Sequence, residues 1–582
     1  MSDIFITIIL FIIFLTLFNT ACTLENEVKE SSSIETNSSS MINEEAKLKD
    51  KSIQNKQTKK TSSTVEIPIT LMQDYIKEDK QVKYLQIEAN TTLEEKVNKV
   101  VSVISSECFS NLPMKVKIYG NDIDRRAYRK AVNSKKRFAK KYGDDSRKNY
   151  TVTVNKNKYI GDALGVYDVR VGDKSEVKET EKFDTKSGII VGNIRMGFGH
   201  YRISMAIASA ANAMGYVPYW MDLNSYPETT CTKLISAQND LYSLGSRLSQ
   251  KSRLFNHFVW EPMNYEGFRK LSYNASDQKN AELMAPVYKN VPKEIPVVAT
   301  HVWPAQAAVH AGMKYVVNAI PDNWPMALHL SEGSIHTVQT HFAYQGYRIL
   351  NGMNGKKVLN PMPSESLIYT GHYIDHELVA GIETDCKARR ERKKNKKPMR
   401  FLLTIGGAGA QKEIFAHIIR YLLPYVKSEK AALYVNVGDY KNVWDDLERE
   451  IPEMSDIAIK HFDDWDDTTK FANDALTGDV TGIHGFFHKN IFEAVYCTNL
   501  LMRSADVLVT KPSELAFYPV PKLFIRRVGG HEQWGAIHSA EIGDGTLECR
   551  DIPHTLQMIK LFMNDDKLLC DMCDNIEANK KA

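Results

Sequence analysis

Between Gly188 and Asp222 the chain spells out a strand, a glycine turn, a helix and a second strand. No other feature restricts its possible folds as much. Ile189, Ile190 and Val191 are the short apolar run of a buried parallel strand, which leads into Gly192-Asn-Ile-Arg-Met-Gly197-Phe-Gly199-His200. Ile203, Ala206, Ile207, Ala210 and Met214 then recur at helical spacing, and Gly215 is placed to end the helix. Tyr216 to Met221 predicts the next strand, closed by Asp222. This order opens a doubly wound α/β domain. Glycines in the first turn let the backbone bend tightly and let a ligand approach the helix N-terminus, where unpaired N–H groups favour negative charge. His200 directly follows that turn and so faces the crevice at the strand carboxyl ends, where its near-neutral titration suits a general base; a helix-capping or structural role is the alternative.

The α/β rhythm continues. Pro296-Val-Val-Ala-Thr-His301-Val-Trp-Pro304 and Tyr315-Val-Val-Asn-Ala-Ile-Pro-Asp322-Asn-Trp-Pro325 are strand-to-loop passages with their polar residues at the strand's carboxyl end. A second strand-and-glycine unit follows: Phe401 to Ile405, Gly406-Gly407-Ala408-Gly409-Ala-Gln411, and a helix from about Glu413 to Val426. Two such domains enclose a cleft. Further on, Ala505 to Thr510 reads as a strand running into Lys511-Pro-Ser513-Glu514. A carboxylate at that position either complements a helix dipole or accepts hydrogen bonds from ligand hydroxyls. Leu523-Phe-Ile525 is another strand, and Gly529-Gly-His531-Glu532-Gln533 places three polar side chains in a glycine-flanked loop suited to a polyhydroxylated ligand.

Composition narrows the function classes. The chain has 582 residues, 43% hydrophobic and 25% charged, enough for two or three cores. A formal net charge of +4 argues against a dedicated nucleic-acid binder, and a mean hydropathy of -0.35 excludes a polytopic membrane protein. Eight cysteines, mostly far apart, are too few for a disulfide scaffold. The run from Lys387 to Arg400 reads as a solvated interdomain linker, or else as a patch attracted to anionic lipid headgroups. Asp463-Asp-Trp-Asp466-Asp467 reads as helix capping, His484-Gly-Phe-Phe-His488 lacks the intervening Glu of a zinc site, and Cys570-Asp-Met-Cys573, with no second pair, reads as neither a zinc nor a redox motif.

The front end differs. Ile4 to Leu17 is almost unbroken apolar sequence, and the stretch fades to Cys22. About 18 residues at ~1.5 Å rise cover roughly 27 Å, enough to span a bilayer. It reads as an uncleaved anchor, a lipoprotein signal ending at Cys22, or a cleaved signal peptide. Thr23 to Thr64 is polar and reads as a disordered tether. Thr92-x-x-Glu95, the Val97 to Ile104 periodicity and the alternations at Met114 to Ile118 and Val152 to Val154 suggest a small α+β accessory domain over 65–180.

These residues resemble the two-domain GT-B glycosyltransferases of family 28, closest to the branch of monogalactosyldiacylglycerol synthase and processive diacylglycerol glucosyltransferases. The likeness covers roughly 188–550. It rests on Gly197-Phe-Gly199-His200, Ala505 to Lys511, Ser513-Glu514-Leu-Ala, Pro521 to Ile525 and Trp534-Gly-Ala536, with Asp222 and Ile320-Pro-Asp322-Asn-Trp324 closer to the galactolipid branch. The resemblance implies two Rossmann-like α/β domains, an acceptor-side one over 186–385 and a nucleotide-sugar-binding one over 399–582; the anchor or signal read from the residues themselves covers 1–22. It implies transfer of a hexose from a UDP-sugar to the hydroxyl of a diacylglycerol-type lipid by inverting displacement. By position, Gly406, Gly407 and Gly409 would cradle the donor diphosphate and Glu514 would bind the ribose. Lys511, Ser513, His531, Glu532 and Gln533 would complete the donor site. Gly197 and Gly199 would form the acceptor-side loop, and His200 would be the base. No metal or other cofactor is expected. The partners are a UDP-sugar, a lipid acceptor and a membrane surface, with the body cytoplasmic or, for a lipoprotein, exported. A non-catalytic surface lipoprotein of this fold that binds a ligand and a sugar-nucleotide epimerase are the alternatives.

Overall fold

A computed structural model describes residues 64–69, 83–88, 117–172, 181–405 and 411–580. The apolar segment, most of the tether, the Thr92–Glu95 box and Gly406, Gly407 and Gly409 lie outside the described residues. Among the described residues no helix is long and apolar enough to cross a membrane.

The first large sheet has eight strands: β1 (Thr151–Lys156), β2 (Tyr167–Gly172), β3 (Gly188–Asn193), β4 (Val217–Asp222), β5 (Val297–Ala299), β6 (Val316–Ala319), β7 (Ile335–Val338) and β8 (Leu367–Tyr369). Their spatial order is β8-β7-β6-β5-β3-β4-β2-β1, parallel except for β1, which pairs antiparallel with β2. The second has six parallel strands: β9 (Met399–Thr404), β10 (Ala431–Asn436), β11 (Ala458–Phe462), β12 (Gly482–Phe487), β13 (Val507–Thr510) and β14 (Lys522–Phe524), ordered β11-β12-β10-β9-β13-β14. Both are doubly wound, as the two glycine-turn units predict. Parallel strands need cover on both faces, and helices supply it: α1 (Arg125–Tyr142), α2 (Gly199–Ala213), α3 (Thr230–Lys251), α4 (Leu271–Ala281) and α5 (Val302–His310) belong to the first domain. Helix α6 (Ile382–Lys394) follows the crossing into the second, with α7 (Lys412–Lys427), α8 (Ile491–Ser504), α9 (Gln533–Glu541) and α10 (Leu568–Ala578) beyond it.

Each domain has its own core. Ile190, Met221, Val297, Ala305 and Val316 pack together in the first, and Phe401, Leu403, Phe415, Ile419, Leu433 and Val509 in the second. Each fully buried aliphatic or aromatic side chain contributes about 1.5–3 kcal/mol to folding.

Two expectations need correction. Residues 117–172 do not stand apart as an accessory domain. Tyr167 and Asp168 of β2 pair with Tyr219 and Trp220 of β4, so the β1–β2 hairpin extends the first sheet, and α1 packs along α4. The basic run is not a solvated linker either. Most of it lies in α6, where Arg389 is 1% exposed and donates to the Ala505 and Met502 carbonyls at 2.8 Å each. Arg400 is 2% exposed and donates to Ala475 O at 2.5 Å and Gly478 O at 2.6 Å. These guanidinium groups satisfy the last carbonyls of α8 and of the helix Trp465–Thr477, where the helix dipole favours a cation. As the sequence suggests, Asp464 caps that helix by accepting from Asp467 N.

Candidate functional site

Sheet order fixes where a ligand can sit. In the first sheet the chain runs one way from β3 to β4 and the other way from β5 onward, so the connection reverses between β3 and β5. In the second it reverses between β9 and β13. Beyond the carboxyl ends at such switch points, diverging loops leave a crevice. Here the two crevices face each other and share one cavity of about 660 Å³, lined from both domains. Gly197, Gly199, His200, Lys511, Ser513, Glu514, His531 and Glu532 all border it. Gln533, the first residue of α9, is not among the lining residues.

On the first wall the turn after β3 reverses through Gly197 at φ +81°, a left-handed conformation natural to glycine. Helix α2 then begins, placing His200 at its second position. Its Nδ1 lies 2.7 Å from the Thr300 carbonyl oxygen. A carbonyl only accepts, so Nδ1 carries the proton and Nε2 is left with its lone pair. Burial lowers the His200 pKa, against the raising effects of the Thr300 hydrogen bond and the Asp322 charge, and the net shift is downward. The ring is therefore neutral at physiological pH. His301 packs edge-on against it at 4.8 Å between ring centroids, and burial holds His301 well below the ordinary histidine range. His301 accepts from Trp303 N through Nδ1 at 3.2 Å. Asp322 meets His329 Nε2 at 3.0 Å. Burial alone would raise the Asp322 carboxyl, but the His329 hydrogen bond and the charges of His531, His329 and His200 outweigh it and hold the group well below the carboxylate range. Trp260, Phe268, Trp303, Met326 and Leu328 give this side of the cavity apolar walls.

The second wall is built from mutually committed charges. Lys511, just past β13, pairs with Glu532 Oε1. Glu532 Oε2 accepts from Val528 N at 2.8 Å and Gly529 N at 3.1 Å. Burial of Glu532 would raise its carboxyl, yet Lys511, His531 and these hydrogen bonds bring it down; burial of Lys511 is likewise overcome by Glu532 and Glu514, which raise it. Both Glu532 oxygens are thus engaged by the protein, which pins the 528–530 turn in place.

Glu514 reaches across the cleft. A Cβ on Gly199 would come within 3.2 Å of its Oε2, tight enough that the carboxylate would have to give way by a few tenths of an ångström, and Arg202 Nε lies 3.7 Å from its Oε1. The carboxylate rests against the N-terminal end of α2, a favourable place for negative charge. Arg202 itself is 2% exposed and donates to the Val495 carbonyl at 3.2 Å and to Asn499 on α8. Arg195 pairs with Asp439 at 2.9 Å, and Trp534 stacks against both Trp324 (5.0 Å) and Phe342 (4.6 Å). Contacts therefore join the two domains along the cleft.

Family models cover most of the described chain in two pieces. One described as "Domain of unknown function (DUF6937)" matches 117–349, and one described as "Domain of unknown function (DUF6938)" matches 362–582. The first begins at 117, so it includes the β1–β2 hairpin with the sheet it joins. No curated protein matches the sequence. Among solved structures, UDP-GlcNAc 2-epimerase from Neisseria meningitidis bound to UDP-GlcNAc is 11% identical, with 66% of this chain and 94% of that chain covered and a TM-score of 0.38. An alpha,alpha-trehalose 6-phosphate synthase from Burkholderia multivorans is 12% identical, covering 68% and 95% at a TM-score of 0.34. A glycosyltransferase from Rickettsia africae is 12% identical, covering 68% and 93% at 0.33.

Sequence reasoning placed His200 and the Lys511–Glu532 region at one cleft, and it noted the polar strand ends that carry His301 and Asp322. It missed Arg202, which reads as part of the helix, and His329, which ends the 3-10 turn Ala327–His329 well past the end of β6 rather than directly after it. Among the described residues no group of three or more His, Cys, Asp or Glu is placed to hold a metal ion.

Proposed function

We propose that the protein is a glycosyltransferase that moves a hexose from a UDP-sugar to the hydroxyl of a diacylglycerol-type lipid by inverting displacement. The observation that carries this reading is His200, whose Nδ1 is bound to the Thr300 carbonyl while the ring lines the floor of an interdomain cleft. In the proposed reaction Nε2 takes the acceptor's hydroxyl proton as its oxygen attacks the anomeric carbon from the face opposite the departing UDP. The new imidazolium is stabilised by the nearby Asp322 and Glu514 carboxylates. The donor would lie against the second wall, with its diphosphate at Gly406, Gly407 and Gly409, its ribose at Glu514, and its sugar between His531 and the Lys511–Glu532 pair. Trp260, Phe268, Trp303, Met326 and Leu328 suit an acceptor with an apolar part. In this reading Glu532 acts by shaping the loop. The apolar segment at 4–17 would hold the body at a membrane, on the cytoplasmic side where UDP-sugars are made.

UDP release by the purified protein tests the reading, with UDP-galactose, UDP-glucose and UDP-N-acetylglucosamine, each with and without diacylglycerol micelles. Release that needs one donor and the lipid together is the expected result. Conversion of the donor without UDP release would replace the reading with epimerisation, and silence with every donor would leave a ligand-binding protein. Protease accessibility on intact cells tests the cytoplasmic placement, which requires the body to be protected.

A further inference from the structure

Away from the cleft, the seam between α6 and α10 brings together chemistry that transfer does not use. Cys386 and Cys573 are both fully buried and pack in one cluster with Ile382 and Ile576. Arg389 Nη1 approaches Cys386 Sγ at 3.6 Å. Cys570 lies one helical turn before Cys573 on α10 and is partly exposed. Salt bridges hold the seam on its flanks: Arg390 with Asp574 at 3.0 Å and Glu577 at 2.7 Å, and Lys580 with Glu383. Cys231, Cys497 and Cys549 are buried elsewhere in the two domains.

We infer that Cys386 and Cys573 form a redox-active dithiol that closes to a disulfide by exchange with a small disulfide of the glutathione class, with Cys570 as the point of entry. The inference stands independently of the proposed transfer reaction. A thiol needs a neighbour that stabilises its thiolate, a partner sulfur in reach and a route for the oxidant. Arg389, 3.6 Å from its sulfur, supplies the first for Cys386; the neighbouring Cys573 thiol and, against burial, the Arg389 charge draw the Cys386 thiol down to about 7, while Cys386 and burial push the Cys573 thiol up, so Cys386 is the thiolate of the pair. Packing of the two thiols supplies the second. Cys570 supplies the third, because the buried pair is closed to solvent.

The exchange balances without further reagents. The Cys570 thiolate attacks the small disulfide, forming a mixed disulfide and releasing one small thiol. Cys573 passes its proton to the Cys386 thiolate as its sulfur displaces the second small thiol from Cys570. Cys386 then gives up that proton to solvent through the departing thiolate and attacks the Cys573 sulfur, the bond passes to Cys386–Cys573, and Cys570 leaves as thiolate and is reprotonated. Two protein thiols are oxidised and one small disulfide is reduced to two thiols. The bond would tie the last helix to the helix that enters the second domain and so close a chain loop around the whole second sheet.

The test is peptide mapping of the full-length, detergent-purified protein after reduction, incubation with glutathione disulfide and alkylation. The expected product is a Cys386–Cys573 cross-link with Cys570 alkylated, together with a rise in Tm on the order of 10 °C that dithiothreitol reverses. Cys570→Ser should form the same cross-link at least about tenfold more slowly, as expected when the entry thiol is lost. A stable Cys570–Cys573 bond, or glutathione left on Cys570 with Cys386 alkylated, would overturn the inference. The mapping needs only the natural sequence, so a variant that fails to fold does not affect the outcome.

Discussion

His200 and Glu532 stand on opposite walls of one cleft and differ in what the fold leaves of each for a ligand. His200 gives one ring nitrogen to the Thr300 carbonyl and keeps the other. Glu532 gives one oxygen to Lys511 and the other to Val528 N and Gly529 N, which leaves at most one acceptor position for a ligand. A side chain that is half bonded is oriented yet still reactive, whereas one that is bonded through both its oxygens sets the shape of the backbone around it. The sequence presents both simply as polar residues after a glycine turn. Their roles separate only through their partners.

The strongest way to break this contrast is His200→Ala. Turnover should fall by about 10²–10⁴-fold with donor KM nearly unchanged; a raised KM with turnover kept would make His200 a binding group. In the unsubstituted protein the acid limb of the kcat profile should lie below the ordinary histidine value of 6.5, because the lowered pKa keeps His200 neutral to lower pH. Removal of His200 should abolish that limb.

Lys511→Ala probes the other wall. It leaves Glu532, 7% exposed, as an unpaired buried charge, and should cost about 3 kcal/mol in urea denaturation. Adding Glu532→Gln should restore more than half of the loss. An additive double variant would show that the pair does not act as a unit.

Behind the first wall, burial pushes the Asp277 carboxyl up to about 8, and its Oδ2 has no hydrogen-bond partner. Its folded pKa lies above the unfolded value of 3.8, so stability is fully present below pH 4 and is lost as pH rises towards 8. The steepest slope for one such group is about 1.4 kcal/mol per pH unit. Asp277→Asn should flatten that decline between pH 5 and pH 8; an unchanged slope would assign it to other groups.

The smallest effect is expected where the two walls touch. Glu514→Ala should raise donor KM by about tenfold, the loss of roughly one charge-assisted hydrogen bond, with turnover at saturation kept. Unchanged donor saturation would remove Glu514 from the ribose and leave it only its contact with Gly199 and Arg202.

Much of this was legible in sequence because parallel strands, glycine turns and amphipathic helices are local patterns. Gly188 to Asp222 folds as read, and so does Phe401 to Val426 apart from the turn outside the described residues. What failed was non-local. The alternation of Val152 and Val154 is the same whether the hairpin closes a small domain or edges a large sheet; only the pairing of β2 with β4 decides. The Lys387–Arg400 charges look solvated until two helix ends elsewhere in the chain supply carbonyls for Arg389 and Arg400. Glu532 resembled a ligand contact because its partner, Lys511, lies a whole strand away.

That late pairing of β2 also shapes how the protein is made. The β1–β2 hairpin is complete on the ribosome by Gly172, but its neighbour β4 ends only at Asp222. At about 5–20 residues per second the ~50 residues between them take roughly 3–10 s to synthesise. For that interval the nascent chain carries an open strand edge that cannot yet find its partner, and an isolated hairpin is only marginally stable. A pause in translation before β4 would lengthen this exposure, so aggregation during synthesis should respond to codon choice between 173 and 216 far more than to the same changes placed after the first sheet is closed.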